Sequence, residues 1–269
     1  MGGWALLIGA GVTIGAALGA SARDAGFPCG GDLIATGRVA KIHDGRSFAL
    51  ENGRDVRIAA LEVPPPDDRS QGTAARVALQ SLLAGQTVEL RSAGTANSDR
   101  YGRTVAHVYL VGAAAPSGPR SAGHAMLAGG FGRVGADVDN RACAKSLLSQ
   151  ERVARAAKLG LWTDPRYAIL DARSLAALLA RQGRFALAEG KVASVRTSGG
   201  TIYVNFGRRW SQALTVTISK RRERIFAGAG MALKELENRP VRVRGWIEVR
   251  NDPRMEAQRP QQIEIAGLN

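Results

Sequence analysis

Three short runs near the beginning of the chain, residues 35–43, 47–51 and 56–62, alternate apolar and polar side chains, and the dipeptides Asp44-Gly45 and Asn52-Gly53 separate them. A period of two puts every second side chain on one face of a β-strand, and Asp-Gly or Asn-Gly between such runs closes a tight hairpin. This segment is committed to an antiparallel meander, and the remaining fold has to grow around it. Residues 72–83 change to a helical period, with Ala75, Val77, Ala78, Leu79, Leu82 and Leu83 as the buried stripe. Residues 87–91 and 103–111 return to the strand pattern. Three strands, a helix and two strands is the order of an OB-type barrel.

Residues 112–122 carry two prolines and two glycines and read as a surface loop. Helices are expected at 124–128 and 141–159, the second stopped by Gly160, and 164–182 reads as a connector with its own helix at 175–181. The barrel order then returns: strands at 185–196, 201–206 and 213–219, a helix at 222–237, and strands at 241–250 and 261–266. The expected fold class is therefore mainly β with helices, two OB-type five-stranded barrels, the first followed by two trailing helices. The corresponding domains are 34–165 and 184–268, joined by 166–183.

With 45% hydrophobic residues the chain buries a core, which excludes a disordered class, and with only 5% aromatics that core must be mostly aliphatic. Lys and Arg number 37 against 23 Asp and Glu, a formal net charge of +14 spread over both halves. Such a surface attracts polyanions, so nucleic acid is the expected partner, with anionic lipid or an envelope protein as the alternative. Residues 1–22 contain no charged side chain and end in Ala20-Ser21-Ala22 before Arg23, the outline of a signal peptide or, alternatively, an uncleaved N-terminal anchor. Either way the body is expected to be exported, periplasmic or extracellular. In an oxidising compartment the two cysteines, Cys29 and Cys143, are expected to form one disulfide, and their spacing with His43, His107 and His124 offers no tetrahedral metal site.

Five pieces in order, Asp44-Gly45, Val56-Arg57-Ile58 leading to Glu62-Val63-Pro64, Asp99-Arg100-Tyr101-Gly102-Arg103, Gly130-Phe131-Gly132-Arg133-Val134, and Glu151 to Trp162, resemble the staphylococcal nuclease (thermonuclease) family over residues 34–165. The resemblance implies a barrel that cuts DNA and RNA phosphodiesters with a calcium ion, two arginines and a glutamate that activates water. Carried over by position, Arg57 and Arg103 match the arginines and Glu62 a metal ligand; these three are the catalytic candidates. The family's metal turn reads Asp-Gly-Asp-Thr, whereas here it reads Asp44-Gly45-Arg46-Ser47, and the position of the catalytic Glu holds Pro65. A guanidinium about 5 Å from calcium is repelled by roughly 7 kcal/mol at an effective dielectric near 20. No cofactor is therefore expected; if an enzyme reading holds, calcium returns with Asp44, Glu62 and Asp67 as the remaining ligand candidates.

Three substitutes for the missing groups are open: Asp67 or Asp68 folding back, His43 as a metal-free base, or Arg46 occupying the ion's place against Glu62 or Asp44. The last accounts for both substitutions together. In the second barrel Tyr203, Phe206, Trp210 and Trp246 lie among basic residues, the mixture that binds single strands. With Arg46 and Tyr101, the nucleic-acid candidates are Arg208, Arg209, Arg242, Arg244 and Trp246, the last three on one strand face by alternation. The expected function is an exported, thermonuclease-like nucleic-acid-binding protein with calcium-dependent hydrolysis impaired or absent. The alternatives are an active nuclease with a rearranged site and an envelope module that binds protein or lipid.

Overall fold

In the computed structural model, which describes residues 1, 27, 29–94, 97–112, 115 and 120–267, the meander forms as its alternation requires. β1 (Leu33–Ile42), β2 (Ser47–Leu50) and β3 (Asp55–Ile58) pair antiparallel in turn, with Val39, Phe48, Leu50, Val56 and Ile58 facing inward. β4 (Leu61–Glu62) and α1 (Gln71–Leu83) follow. β5 (Thr87–Ser92) returns along β1, and β6 (Thr104–Leu110) pairs antiparallel with β5 and parallel with β3. That parallel pairing closes a five-stranded barrel. β7 (Arg120–Ser121) extends the sheet beside β6. All but the first residue of the expected export segment, and most of residues 113–119, lie outside the described residues.

α1 buries Ala75, Leu79 and Leu83 against the barrel, but Val77 is 49% exposed. Two residues of helix turn the chain by about 200°, so Val77 cannot share a face with Ala75 and Leu79. α2 (Ala122–Ala128) starts where the Ser121 hydroxyl accepts the His124 N–H; β8 (Arg133–Val134) pairs with β4; α3 (Arg141–Ala156) starts on the Asn140 side chain. α3 ends at Ala156, and the chain then turns through Lys158 and Gly160, both at positive φ. Gly160 and Gly130 meet backbone to backbone, where the Leu161 N–H donates to the Gly130 carbonyl at 2.9 Å; a Cβ on either glycine would lie within 2.4 Å of the other strand's backbone oxygens. A disulfide joins Cys29 to Cys143 and clips the segment before β1 to α3.

The connector contributes β9 (Leu170–Asp171) and α4 (Leu175–Leu179). Beyond it come β10 (Phe185–Lys191), β11 (Ser194–Ser198), β12 (Thr201–Asn205), β13 (Thr215–Ser219), α5 (Glu223–Gly228), β14 (Pro240–Trp246), β15 (Glu248–Val249), β16 (Pro253–Glu256) and β17 (Ile263–Ile265). They form two sheets, β17-β14-β10-β9 and β11-β12-β13-β16-β15, which share a core that includes Phe206, Val216, Phe226, Val243 and Met255. The expected long strand at 185–196 bends at Val192-Ala193 to pass from one sheet to the other. β13 and β16 pair in parallel, as β3 and β6 do in the first barrel.

Two expectations are corrected here. The helix at 222–237 is cut after α5, because Gly228 and Gly230, the latter at positive φ, interrupt it before a single 3₁₀ turn at Leu233–Leu236. The strand at 261–266 shortens to β17, and the pairing with β13 falls to β16, a strand hidden in sequence by its polar, proline-led composition. Among the described residues no helix is long and apolar enough to cross a membrane.

Candidate functional site

The turn after β1 sets the site. Asp44 Oδ1 accepts the backbone N–H groups of Arg46 and Ser47, both at 2.8 Å, the local bonding that makes aspartate a turn residue. With the backbone held, the Arg46 side chain enters the barrel mouth: Nη1 donates to Glu62 Oε2 at 2.6 Å and to the Leu61 carbonyl at 3.3 Å. From the floor of β3, Arg57 Nη2 donates to the other Glu62 oxygen at 3.2 Å. Across the β4–β8 pair, Arg133 stands directly opposite Glu62. Two guanidinium groups therefore hold one buried carboxylate, and a third arginine stands across the strand pair from it.

Arg133 is the unusual member. It is only 7% exposed, and its guanidinium lies 5.3 Å from the Tyr167 ring centre and 5.1 Å from that of Phe185. Among the described residues it has no hydrogen-bond or ion-pair partner, and its Nε is buried without one. Burial pushes its pKa down to about 10, against the attraction of Glu151, Tyr167 and Glu62, which leaves it cationic at neutral pH.

This donor set does not fit calcium. The ion needs several hard oxygens in one place, but Asp44 turns an oxygen to its own backbone and both Glu62 oxygens accept from arginines. The Arg46 cation lies in contact with the carboxylate that an ion would use. Of the three substitutes, only Arg46 against Glu62 forms, and neither His43 nor Asp68 is left free to act as a base. His43 pairs with Asp55 at 2.9 Å on the strand edge. Asp68 accepts from the Tyr167 hydroxyl at 2.7 Å and from Arg166, and caps the backbone of Ser70 and Gln71. Burial alone would raise its carboxyl, but these hydrogen bonds hold it below the usual range. Asp67 is exposed on the rim.

Arg103 immediately precedes β6, and both its Nε and Nη2 donate to Asp99, at 2.8 and 2.7 Å. It does not share the Glu62 carboxylate with Arg57. Tyr101, 71% exposed on the same turn, has Arg100 and Arg103 over its ring at 5.4 and 5.2 Å.

The second unit corrects the proposed strand-face groove. Arg244 is 2% exposed: it donates to both oxygens of Glu151 at 2.8 and 3.1 Å, to Glu264 at 2.5 Å and to the Val134 carbonyl at 3.1 Å. Arg242 is held by Glu189 at 2.6 Å. Through Arg244 the alternating face of β14 thus docks on α3 and β8 and neutralises the buried Glu151 carboxylate, whereas Arg242 pairs within its own sheet with the partly exposed Glu189 of β10. Glu151 would be raised by burial, yet Arg244, the Val134 N–H and Arg155 hold it below the carboxylate range. Arg208 and Arg209 remain exposed, and Trp246, 49% exposed, meets Phe185 edge to face at 6.0 Å between ring centres.

Between the barrel mouth and the second unit lies a cleft of ≈ 490 Å³ whose lining includes Arg46, Arg133, Arg181, Arg184, Phe185 and Trp246. Sequence reasoning passed over Arg181 and Arg184 and quoted Arg133 only within the Gly130-to-Val134 motif, with no role assigned. A two-residue strand such as β8 has no periodicity to announce it, and only the docked second unit brings Arg181 and Arg184 to the mouth. Elsewhere, Cys29, His107 and Cys143 cluster together, but the disulfide removes the thiolates that a metal would need.

A closed five-stranded barrel with trailing helices and an arginine-lined mouth defines a nuclease-type OB protein. The family model described as "Staphylococcal nuclease homologue" matches residues 55–164, a span that begins after the Arg46 turn. The chain is also similar to "Protein ParB" of Escherichia coli, 32% identical over 133 residues that make up 48% of this chain and 73% of that protein. The chain belongs to the staphylococcal nuclease homologue family.

Proposed function

We propose that this protein is an exported nucleic-acid-binding member of the family whose barrel mouth grips phosphate with arginines and has lost calcium-dependent hydrolysis. The observation that carries the reading is the Arg46–Glu62 ion pair at 2.6 Å, reinforced by Arg57 at 3.2 Å and faced by Arg133. Five arginines and four carboxylates line the cleft at the mouth, so one positive charge is left over for a phosphate while Glu62 is engaged by Arg46 and Arg57. The net charge of +14 supports a polyanionic partner, and exposed Tyr101, Arg208 and Arg209 would extend the contact. Export is supported by the uncharged run at residues 1–22 and by the Cys29–Cys143 disulfide.

The test combines cleavage and binding on the same preparation. Labelled DNA and RNA are incubated with calcium, manganese or chelator, and mobility shifts are measured over a salt series. Expected are intact substrates under all three conditions and a shift that weakens steeply with salt. Cleavage that depends on calcium and stops in Glu62→Gln would return the protein to the hydrolases; absence of any shift would remove nucleic acid as partner.

A further inference from the structure

We infer that the cleft between the barrel mouth and the second unit is a nucleotide subsite, in which the Arg133 guanidinium takes a phosphate of a single-stranded nucleic acid and Trp246 stacks on the adjoining base. This rests on the nucleic-acid reading above and locates where the strand runs.

Arg133 motivates the assignment. A buried guanidinium ordinarily meets a carboxylate, because leaving a buried donor unmade costs about 1–3 kcal/mol and more for a charged group. Arg244, equally buried, is satisfied by Glu151 and Glu264. Arg133 has only the faces of Tyr167 and Phe185: Glu62, opposite it across the strands, is already bonded to Arg46 and Arg57, and Glu151, the anion that acts on it most strongly, is held by Arg244 and Arg155. The two rings hold the guanidinium plane while leaving its donors for an anion.

The cleft supplies the rest of a nucleotide site. Arg181 and Arg184 line it and have no side-chain partner among the described residues; Arg184 is exposed and Arg181 half-buried. The four carboxylates of the lining, of which Glu62 and Asp68 are held by arginines, face five arginines. The surplus is cationic. Trp246 stands at the lip, with its edge-to-face contact to Phe185 fixing the indole at one ring's remove from Arg133. Base stacking on an aromatic ring contributes about 1–3 kcal/mol and tolerates any base, so the subsite would select a single strand over a particular sequence.

The experiment titrates the full chain with a 5′-phosphorylated oligothymidylate hexamer, with its unphosphorylated form and with inorganic phosphate, following tryptophan emission at several salt concentrations. Expected is quenching by both oligonucleotides that is absent in Trp246→Phe, about tenfold weaker binding in Arg184→Ala and Arg133→Gln, and a salt slope lower by about 1 in each arginine variant. Arg184→Ala and Trp246→Phe change exposed side chains and remain informative if Arg133→Gln fails to fold. Binding that is unchanged in all three variants but lost in an Arg208→Ala/Arg209→Ala double variant overturns the cleft assignment and leaves the proposed function standing. Binding of inorganic phosphate without either oligonucleotide overturns the strand assignment, and no binding of any probe overturns both readings.

Discussion

Replacing Arg46 by aspartate inverts the charge at the point where this chain departs from its family. In the native mouth the guanidinium lies 2.6 Å from Glu62, which is also held by Arg57 at 3.2 Å. At about 4 Å and an effective dielectric near 20, a unit charge pair is worth about 4 kcal/mol, so Arg46→Asp exchanges that attraction for a repulsion of similar size. Arg46 is partly exposed and the new carboxylate can turn toward water, so a net loss of about 2–4 kcal/mol is expected in chelator. Calcium should then do what arginine did. An ion at 100 times its dissociation constant returns about 2.7 kcal/mol. The assay is urea unfolding of native chain, Arg46→Asp and Arg46→Gln, each in chelator and in calcium chloride matched for ionic strength with sodium chloride. The native midpoint should be the same in both, Arg46→Asp should be low in chelator and recover in calcium, and Arg46→Gln should be low in both. A native chain that gains saturable stability from calcium, and loses the gain in Glu62→Gln, would refute the reasoning.

Three further outcomes follow from buried groups. Burial, with repulsion from His124, pushes the pKa of His107 from 6.5 down to about 4 despite nearby Asp137. Below 6.5 the unfolded chain takes up a proton that the folded chain refuses, so stability should fall by about 3 kcal/mol as pH drops from 6.5 to about 4, and His107→Gln should flatten that slope in a pH series of urea midpoints. Arg244→Ala strips two hydrogen bonds from the buried Glu151 carboxylate and should cost about 3–5 kcal/mol in the same unfolding assay. Because Glu151 is held below the carboxylate range, its contribution is complete above its ordinary pKa of 4.5 and is lost as pH falls through the lower folded value, so the native and Arg244→Ala chains should converge in acid. The Cys29–Cys143 bridge closes a loop with a sequence separation of 114, so replacing both cysteines by alanine should lower stability by about 4–5 kcal/mol, measured against the native chain with and without reductant.

Much of the first barrel was legible because its information is local. Alternation in β1, β2 and β3 and the turn residues between them state both the strands and their order, and the family resemblance reads off the same residues. The fate of Arg46 was also legible: an arginine replaces a metal ligand and a glutamate lies where it can be reached, so an ion pair is the economical outcome. β16 was not legible, since a four-residue strand opened by Pro253 carries no apolar period.

Charge, turn chemistry and periodicity along the chain determined that this protein has strand-rich halves, an arginine in the turn after the first strand and a strongly basic surface. Which arginines stay open to solvent was decided only by the docking of the two units. Arg242 and Arg244 share a strand face with Trp246, yet docking buries Arg244 against Glu151, Arg242 is taken up by Glu189 of the next strand, and the indole is left at the edge of the cleft that Arg133 lines. A strand's alternation names the side of a sheet on which a residue lies; what covers that side depends on contacts more than ninety positions away in sequence, such as Glu151 with Arg244 at a separation of 93, and no local pattern encodes them.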